Sequence, residues 1–407
     1  MSAPTAPARP LRAGRRLVPL IVAGGPGTWQ ATHTDVLALR GRVVIISATV
    51  GQGHEGAARE LAARLTRRGV EVQVHDYLDA LPGYARRMLR DLYAPTVQYA
   101  PALFDRMFTG LEHDGVLRRI AGWVCDMALA GVEEWTRGAD VVVTTYPLAG
   151  QTLGALREQG RLPAPAVTYL TDPAAHATWC HPAVDHHLTV TRATASDAAR
   201  YGVRARASGP LCVRTTAQRD RHAVRDELGL AHDAPVALIS AGSLGMGAIP
   251  RTVHDLIGHP DLRVVVLCGR NTRLRRRLSR LPRVVALGWR DDVPSLMAAS
   301  DVLVHNAGGL SLTEALAAGL PAITYRPIPG HGRANADVLD RAGVAPWARN
   351  ATALTTAVRA VVAQEREIPD DKFWPAGSDP AAVVHGILAA ELSPSLRSHA
   401  RSSDGRR

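Results

Sequence analysis

Residues Asp301–Pro329 read DVLVHNAGGLSLTEALAAGLPAITYRPIP, and the punctuation of that stretch decides the fold. The apolar run Val302–Val304 has the length of a buried strand. Gly308-Gly309 turn the chain, and a helix follows with Ser311, Thr313 and Glu314 in its first turn. Beyond Gly319 and Pro321 a second apolar run, Ala322–Tyr325, returns to the sheet. Such a strand–turn–helix–strand unit is an α/β element whose helix N-terminus points outward from the carboxyl end of a strand. Its free backbone N–H groups and partial positive charge favour a phosphate. Glu314 is placed to accept hydrogen bonds from two sugar hydroxyls, so the unit reads as a phosphate site beside a diol reader. Gly-Gly before a helix is common, however, and a glutamate near a helix start is often only a dipole partner. The context has to decide.

Upstream, the run Val236–Ser240 ends in Gly242-Ser243-Leu244-Gly245-Met246-Gly247. Val264–Leu267 follows, and Val284–Leu287 runs into Gly288-Trp289-Arg290-Asp291-Asp292. Strand, glycine loop and helix thus alternate across the second half. The first half repeats the scheme. A strand at Val43–Ser47 enters the turn Thr49-Val50-Gly51-Gln52-Gly53-His54, and the next helix places Ala57, Ala58, Leu61, Ala62 and Leu65 on one face. Val70–His75, Val141–Thr145 and Val167–Leu170 read as further strands.

With these pieces in order, the chain resembles the monogalactosyldiacylglycerol synthase and processive diacylglycerol glucosyltransferase family of GT-B glycosyltransferases. The bacterial enzyme that adds N-acetylglucosamine during peptidoglycan precursor synthesis is a more distant likeness. The matching motifs are VVIISATVGQGHEGAARELAARL from Val43, VVVTTYPLAGQTLGAL from Val141 and VTYLTDPAAHATWCHPAVDHHLTV from Val167. In the second half they are GSLGMG (Gly242–Gly247), LGWRDDVPSLMAASD (Leu287–Asp301), GGLSLTEALAAGLP (Gly308–Pro321), PIPG (Pro327–Gly330) and Asn335-Ala336. The likeness spans about residues 42–375. It implies an α/β fold of two Rossmann-like doubly wound domains facing a cleft. A chain of 407 residues also exceeds what one core usually supports. The expected division is a basic, disordered extension at 1–41, an acceptor-binding domain at 42–209, a UDP-sugar-binding domain at 210–375, and a C-terminal helix and tail at 376–407.

What the resemblance implies for function is an inverting transfer of sugar from a UDP-sugar to a lipid hydroxyl, diacylglycerol in the first place, without a cofactor. Direct displacement needs a base at the attacking hydroxyl and charge stabilisation at the departing diphosphate. His54 is the candidate base, with Asp172 to orient it or to replace it. Gly308, Gly309, Leu310 and Ser311 would hold the diphosphate by backbone N–H groups. Gly288 and Arg290 would meet the uracil edge through main chain, and Glu314 the ribose hydroxyls. Gly242, Ser243, His331 and Asn335 complete the donor set. Gly51, Gly53, His176 and Trp179 face the acceptor. Two departures stand out. The family commonly has Lys-Pro-Gly-Gly where this chain has Asn306-Ala307-Gly308-Gly309, and Gln-Glu where it has His331-Gly332. The sugar-reading half has therefore changed, which leaves open a specialised-metabolite acceptor in place of diacylglycerol.

Composition narrows the partners. The net charge of +11 is carried almost wholly by arginine, Lys372 being the sole lysine, and aromatic residues make up only 4%. No platform of interleaved basic and aromatic residues offers itself to nucleic acid. The segment Tyr84–Arg119 instead mixes Arg86, Arg87, Arg90, Arg106, Arg118 and Arg119 with apolar residues at helical spacing. It reads either as core or as a surface for anionic lipid. No apolar run approaches the ~20 residues of a membrane span, so peripheral association with the inner face of the membrane, from the cytoplasm, is expected. Cys125, Cys180, Cys212 and Cys268 lie far apart with no C-x-x-C pair, and no metal is expected from His176, His181, His186 and His187. The alternative from another class is a NAD(P)-dependent oxidoreductase, since Gly51, Gly53 and Gly56 followed by Asp76 approach a dinucleotide fingerprint.

Overall fold

The computed structural model describes residues 41–113, 115–212, 220–240, 242, 245–306, 308–363 and 373–393. Residues 1–40 of the expected extension, the tail beyond residue 393, Ser243, Leu244 and Ala307 lie outside the described residues. Among those described, twelve strands form two six-stranded sheets. The first holds β1 (Arg42–Ser47), β2 (Glu71–Asp76), β3 (Val141–Thr144), β4 (Ala166–Leu170), β5 (His186–Thr189) and β6 (Ala205–Ala207). The second holds β7 (Val236–Ser240), β8 (Arg263–Leu267), β9 (Val284–Leu287), β10 (Val302–His305), β11 (Ala322–Tyr325) and β12 (Trp347–Ala348). Six helices accompany the first sheet: α1 (Gln52–Arg67), α2 (Gly83–Tyr99), α3 (Pro101–Glu112), α4 (Val116–Thr136), α5 (Pro147–Glu158) and α6 (Arg192–Ala198). Then come α7 (Arg221–Glu227), α8 (Ile249–Ile257), α9 (Thr272–Leu278), α10 (Val293–Ala299), α11 (Gly309–Ala317), α12 (His331–Arg341) and α13 (Ala351–Val362), and last α14 (Pro380–Leu392).

Every strand pair is parallel. Parallel sheets covered by helices on both faces need strands that are apolar throughout, and the valine and isoleucine runs supply them. Val43–Ile46, Val141–Val143 and Val302–Val304 are all fully buried. The strand orders are β2-β1-β3-β4-β5-β6 and β9-β8-β7-β10-β11-β12. Each is doubly wound, with its direction of winding reversing between β1 and β3 in one sheet and between β7 and β10 in the other. Open α/β sheets bind ligands at that reversal, outside the carboxyl ends of the strands.

Three strands escaped the sequence reading. β5 begins with His186-His187, which looks like a polar cluster rather than sheet. β6 and β12 are edge strands of three and two residues. The final crossover comes earlier than residue 376. Phe373 and Trp374 are already buried, and the Phe373 carbonyl accepts from Arg192 N–H at the start of α6. α14 then packs on the first sheet's side. Asp379 caps it by accepting from Ala381 N–H and pairs with Arg64 and Arg68 of α1 at 3.1 and 2.8 Å. Both sheets belong to one unit, Gly41–Arg407.

Candidate functional site

The turn after β10 delivers the first half of the site. Gly308 caps α11 and Gly309 is its first residue, so Glu314 falls in the second turn rather than the first. Gly309 has a specific reason to be glycine. A Cβ there would collide with the Thr171 carbonyl oxygen, because the loop after β4 passes directly over the start of α11. Leu310 uses its side chain as well as its backbone, packing at 3.2 Å over the position where Gly56 of α1 would carry a Cβ. Ser311 Oγ bonds Ser240 Oγ at 2.7 Å, which ties α11 to the end of β7 across the winding reversal.

These residues line a cavity of about 520 Å³ between the two sheets. Gly242, Gly288, Arg290, Gly308, Gly309, Leu310, Ser311, Glu314 and His331 of the expected donor set are on its wall, and so are Gly51 and Gly53 from the other side. Arg290 pairs its guanidinium with Asp292 at 2.5 Å and Glu227 at 3.2 Å. Glu314 carries no hydrogen-bond or ion-pair partner among the described residues. Burial without compensation pushes its carboxyl up to about 7. A larger depression of about 1030 Å³ lies elsewhere, lined by Arg251, Arg277 and Arg326. Its lining has neither a carboxyl nor a glycine-capped helix start, so the smaller chamber is the candidate site.

His54 occupies the first turn of α1, after the turn that follows β1. Its Nδ1 lies 2.7 Å from the Thr145 carbonyl at the end of β3. A carbonyl only accepts, so Nδ1 carries the proton and Nε2 keeps its lone pair. Thr145 also donates its hydroxyl to the His54 carbonyl at 3.0 Å, gripping the residue from both ends. Tyr146 and Trp179 pack against the ring, with centroids at 5.4 and 5.8 Å. Burial lowers the His54 pKa; the Asp172 charge and the Thr145 bond oppose that, and His331 adds to it. The imidazole is therefore neutral near pH 7. His331 is likewise lowered by burial, against the pull of Asp172. His54 and Asp172 are not wall residues of the chamber, but they share one electrostatic neighbourhood with His331, which is.

Three expected contacts turn out to be supports. Trp179 is 2% exposed and donates Nε1–H to Asp172 Oδ2 at 3.1 Å, so it fixes the carboxylate rather than facing an acceptor. His176 is buried, its Nδ1 accepting from Thr178 N–H at 3.1 Å and its Nε2 lying 3.2 Å from Glu112 and 3.3 Å from the Phe108 carbonyl. It holds the end of α3. Asn335 is 1% exposed and its Oδ1 accepts from Ala174 N–H at 2.9 Å, bracing one half against the other. In each case burial turns the polar group toward protein instead of ligand. The oxidoreductase alternative loses its acidic residue: Asp76 accepts from the Thr49 hydroxyl and from Leu78 N–H, and Leu310 covers Gly56 in the second turn of α1.

The four cysteines are all buried. No group of three metal-ligating side chains occurs among the described residues, and no described helix is long and apolar enough to cross a membrane. The Tyr84–Arg119 segment is mostly surface. Ala85 and Val97 join buried clusters, but α3 has no buried residue, and Leu92, Tyr99, Leu103 and Met107 are 42–80% exposed.

Comparison with known proteins agrees with this geometry. Residues 54–208 match the family model described as monogalactosyldiacylglycerol (MGDG) synthase. Residues 245–364 match the glycosyl transferases group 1 model. The chain is 26% identical over 329 residues to a processive diacylglycerol β-glucosyltransferase of Bacillus cereus, covering 75% of this chain and 81% of that protein. It is 24% identical over 342 residues to the protein of the same name from Bacillus cytotoxicus, covering 80% and 87%. Among solved structures, MurG of Acinetobacter baumannii aligns over 86% of this chain and 99% of its own, with a TM-score of 0.54 at 18% identity. The glycosyltransferase of kitacinnamycin aligns over 88% and 97%, with a TM-score of 0.55 at 18% identity.

Proposed function

We infer the reaction from a premise that fold and domain matches together supply: the chain is a GT-B glycosyltransferase, an MGDG synthase domain followed by a group 1 glycosyltransferase domain. Our reading is that it moves a hexose from a UDP-sugar to the hydroxyl of a diacylglycerol-type lipid, with inversion at the anomeric carbon. The observation that carries it is the division of labour across the cleft. A Glu314 carboxyl with no partner among the described residues and the α11 N-terminus line the chamber on one side; on the other, a neutral His54, off the wall itself, shares the electrostatic neighbourhood of Asp172 and of the wall residue His331.

In this reading Glu314 accepts hydrogen bonds from the two ribose hydroxyls. The N–H groups of Gly309, Leu310 and Ser311 take the charge that develops on the diphosphate as the bond from the sugar C1 to its oxygen breaks. His54 Nε2 takes the proton from the acceptor hydroxyl as that oxygen bonds C1. Asp172, held by Trp179, stabilises the imidazolium formed. The proton then passes to solvent and UDP leaves.

The lipid acceptor is supported by the relatives' names and by the surface of α2, α3 and α4. Tyr99 (80% exposed), Leu92, Leu103 and Trp123 stand there among Arg86, Arg87, Arg90, Arg106, Arg118 and Arg119. Exposed apolar groups amid cations suit the interface of an anionic bilayer, at about 1 kcal/mol per well-placed charge. A panel of UDP-sugars, scored by UDP release with and without diacylglycerol in vesicles, tests the reading. Release with one UDP-hexose that depends on the lipid supports it; lipid-independent transfer to a soluble alcohol would replace the acceptor.

A further inference from the structure

We propose that Asp105 on α3 is a positioning residue for the sugar end of the donor site. A carboxylate of the first domain caps the helix of the second domain that bears His331. This rests on the donor reading given above and goes beyond it.

α12 enters the cleft through Gly330, whose φ of +67° suits glycine and whose added Cβ would lie 2.9–3.0 Å from Phe108 and Phe104 of α3. The Gly330 N–H donates to Asp105 Oδ1 at 2.7 Å, and Arg333, in the first turn of α12, places Nη1 2.9 Å from Asp105 Oδ2. One carboxylate thus satisfies a backbone donor at the helix start, meets its partial positive charge and anchors its first turn. No side chain of α12's own entry does so, since its N-cap residue is Gly330 itself.

Phe104 and Phe108, neighbours on α3, then both pack against His331, each ring centroid 5.9 Å from the imidazole. Phe108 is itself packed on His176 at 4.2 Å. His331 is on the wall of the donor chamber. The orientation of the group replacing the family's Gln at this position is therefore set by a helix of the opposite domain. Asp105 also sorts the two glycine-entered helix starts that the second domain brings to the cleft. The α12 N-terminus is taken by a protein carboxylate, which leaves the α11 N-terminus for the diphosphate. Asp105 touches neither UDP nor sugar in this scheme; it acts through His331.

The test is a split between binding the nucleotide and using the sugar. It compares the full chain with Asp105→Ala and Asp105→Asn, using UDP and whichever UDP-hexose gives the fastest UDP release. Asp105→Ala should raise KM for that UDP-hexose roughly tenfold or more while UDP affinity stays within about twofold. Asp105→Asn keeps an oxygen for Gly330 N–H and should return KM to within about threefold of the unaltered chain. The proposal is overturned if Asp105→Ala leaves KM unchanged, if UDP and UDP-hexose weaken equally, or if Asp105→Asn is as impaired as Asp105→Ala. Should Asp105→Ala fail to fold, Asp105→Asn decides alone: a modest rise in KM with unchanged UDP affinity supports the proposal, and equal weakening of both ligands defeats it. Failure of the unaltered chain to bind UDP would instead remove the donor reading.

Discussion

The two sheets are close to copies in topology, and each places a glycine turn where its winding reverses, yet the turns are put to different use. After β10, Gly308 and Gly309 open α11 onto the chamber, and Glu314 stands in the second turn with no partner among the described residues. After β1, Gly51 and Gly53 open α1, but the first turn holds His54, locked by Thr145 at both ends, and Leu310 from the other sheet lies over Gly56. The acidic residue that a dinucleotide site would need, Asp76, is spent on Thr49 and Leu78. A glycine turn at a switch point is thus not yet a nucleotide site. What separates the two is whether the first turns present unpaired groups to a cavity or are filled by the neighbouring domain.

The sharpest way to break the comparison is at His54. If the first turn is chemical rather than ligand-binding, His54→Ala should lower turnover by roughly 10²–10⁴, the usual range for a positioned acid–base group, with the KM for donor almost unmoved. Turnover within a few-fold of normal would hand the base to Asp172. The same residue fixes a pH limb. Burial holds its pKa below 6.5, so kcat at saturating donor, where Glu314 is already engaged, should stay flat through pH 7 and fall only under 6.5 as Nε2 becomes protonated. A fall already complete at pH 7 would mean that the imidazole is not neutral as its environment requires.

Glu314 sharpens the other side. Its carboxyl is raised to about 7 against an ordinary 4.5, so the folded chain holds a proton that the unfolded chain gives up between those values. Unfolding therefore releases a proton there, and the group costs stability as pH rises through that window. Glu314→Gln should be more stable than the unaltered chain at pH 8 by about 1–3 kcal/mol. At pH 4, below both values, the two should melt together. Loss of stability at pH 8 would mean that a protein partner satisfies Glu314 and that the chamber is structural.

How much of this was legible beforehand depended on distance along the chain. The β1, β3, β4, β7, β8, β9, β10 and β11 strands announce themselves, because a parallel strand buried on both faces must be a continuous apolar run. β5 does not, because His187 is buried beside His181 in a sequence that looks like a metal cluster; its Nε2 lies 3.4 Å from the His181 N–H. The donor wall was readable from glycines and one glutamate, since local backbone geometry fixes it. The supports were not. Thr145 reaches His54 across 91 residues and Asp105 reaches Gly330 across 225, and no local pattern signals such pairs. His176, Trp179 and Asn335 read as ligand contacts, because a polar side chain buried against protein and one lining a cleft look alike in one sequence.

A smaller effect tests the outer face of the first half. Leu103 and Met107 are 54% and 42% exposed on α3. Replacing both by Ser should weaken binding to anionic vesicles by roughly 1–3 kcal/mol, from the apolar area no longer inserted. Raised salt should weaken the unaltered chain as well. Equal, negligible binding to anionic and neutral vesicles would leave that surface without the lipid partner given to it here.

The division between a half that binds and a half that reacts is tested most directly by titrating UDP into three forms of the chain: unaltered, His54→Ala and Glu314→Ala. Glu314→Ala should lose about 1–3 kcal/mol of affinity, the cost of charge-assisted bonds to the ribose, while His54→Ala binds UDP within about twofold of the unaltered chain. In the unaltered chain, UDP at about 100 times its dissociation constant should add about 2.7 kcal/mol of stability. Affinity lost on replacing His54 and retained on replacing Glu314 would place the nucleotide at the first glycine turn and contradict the account.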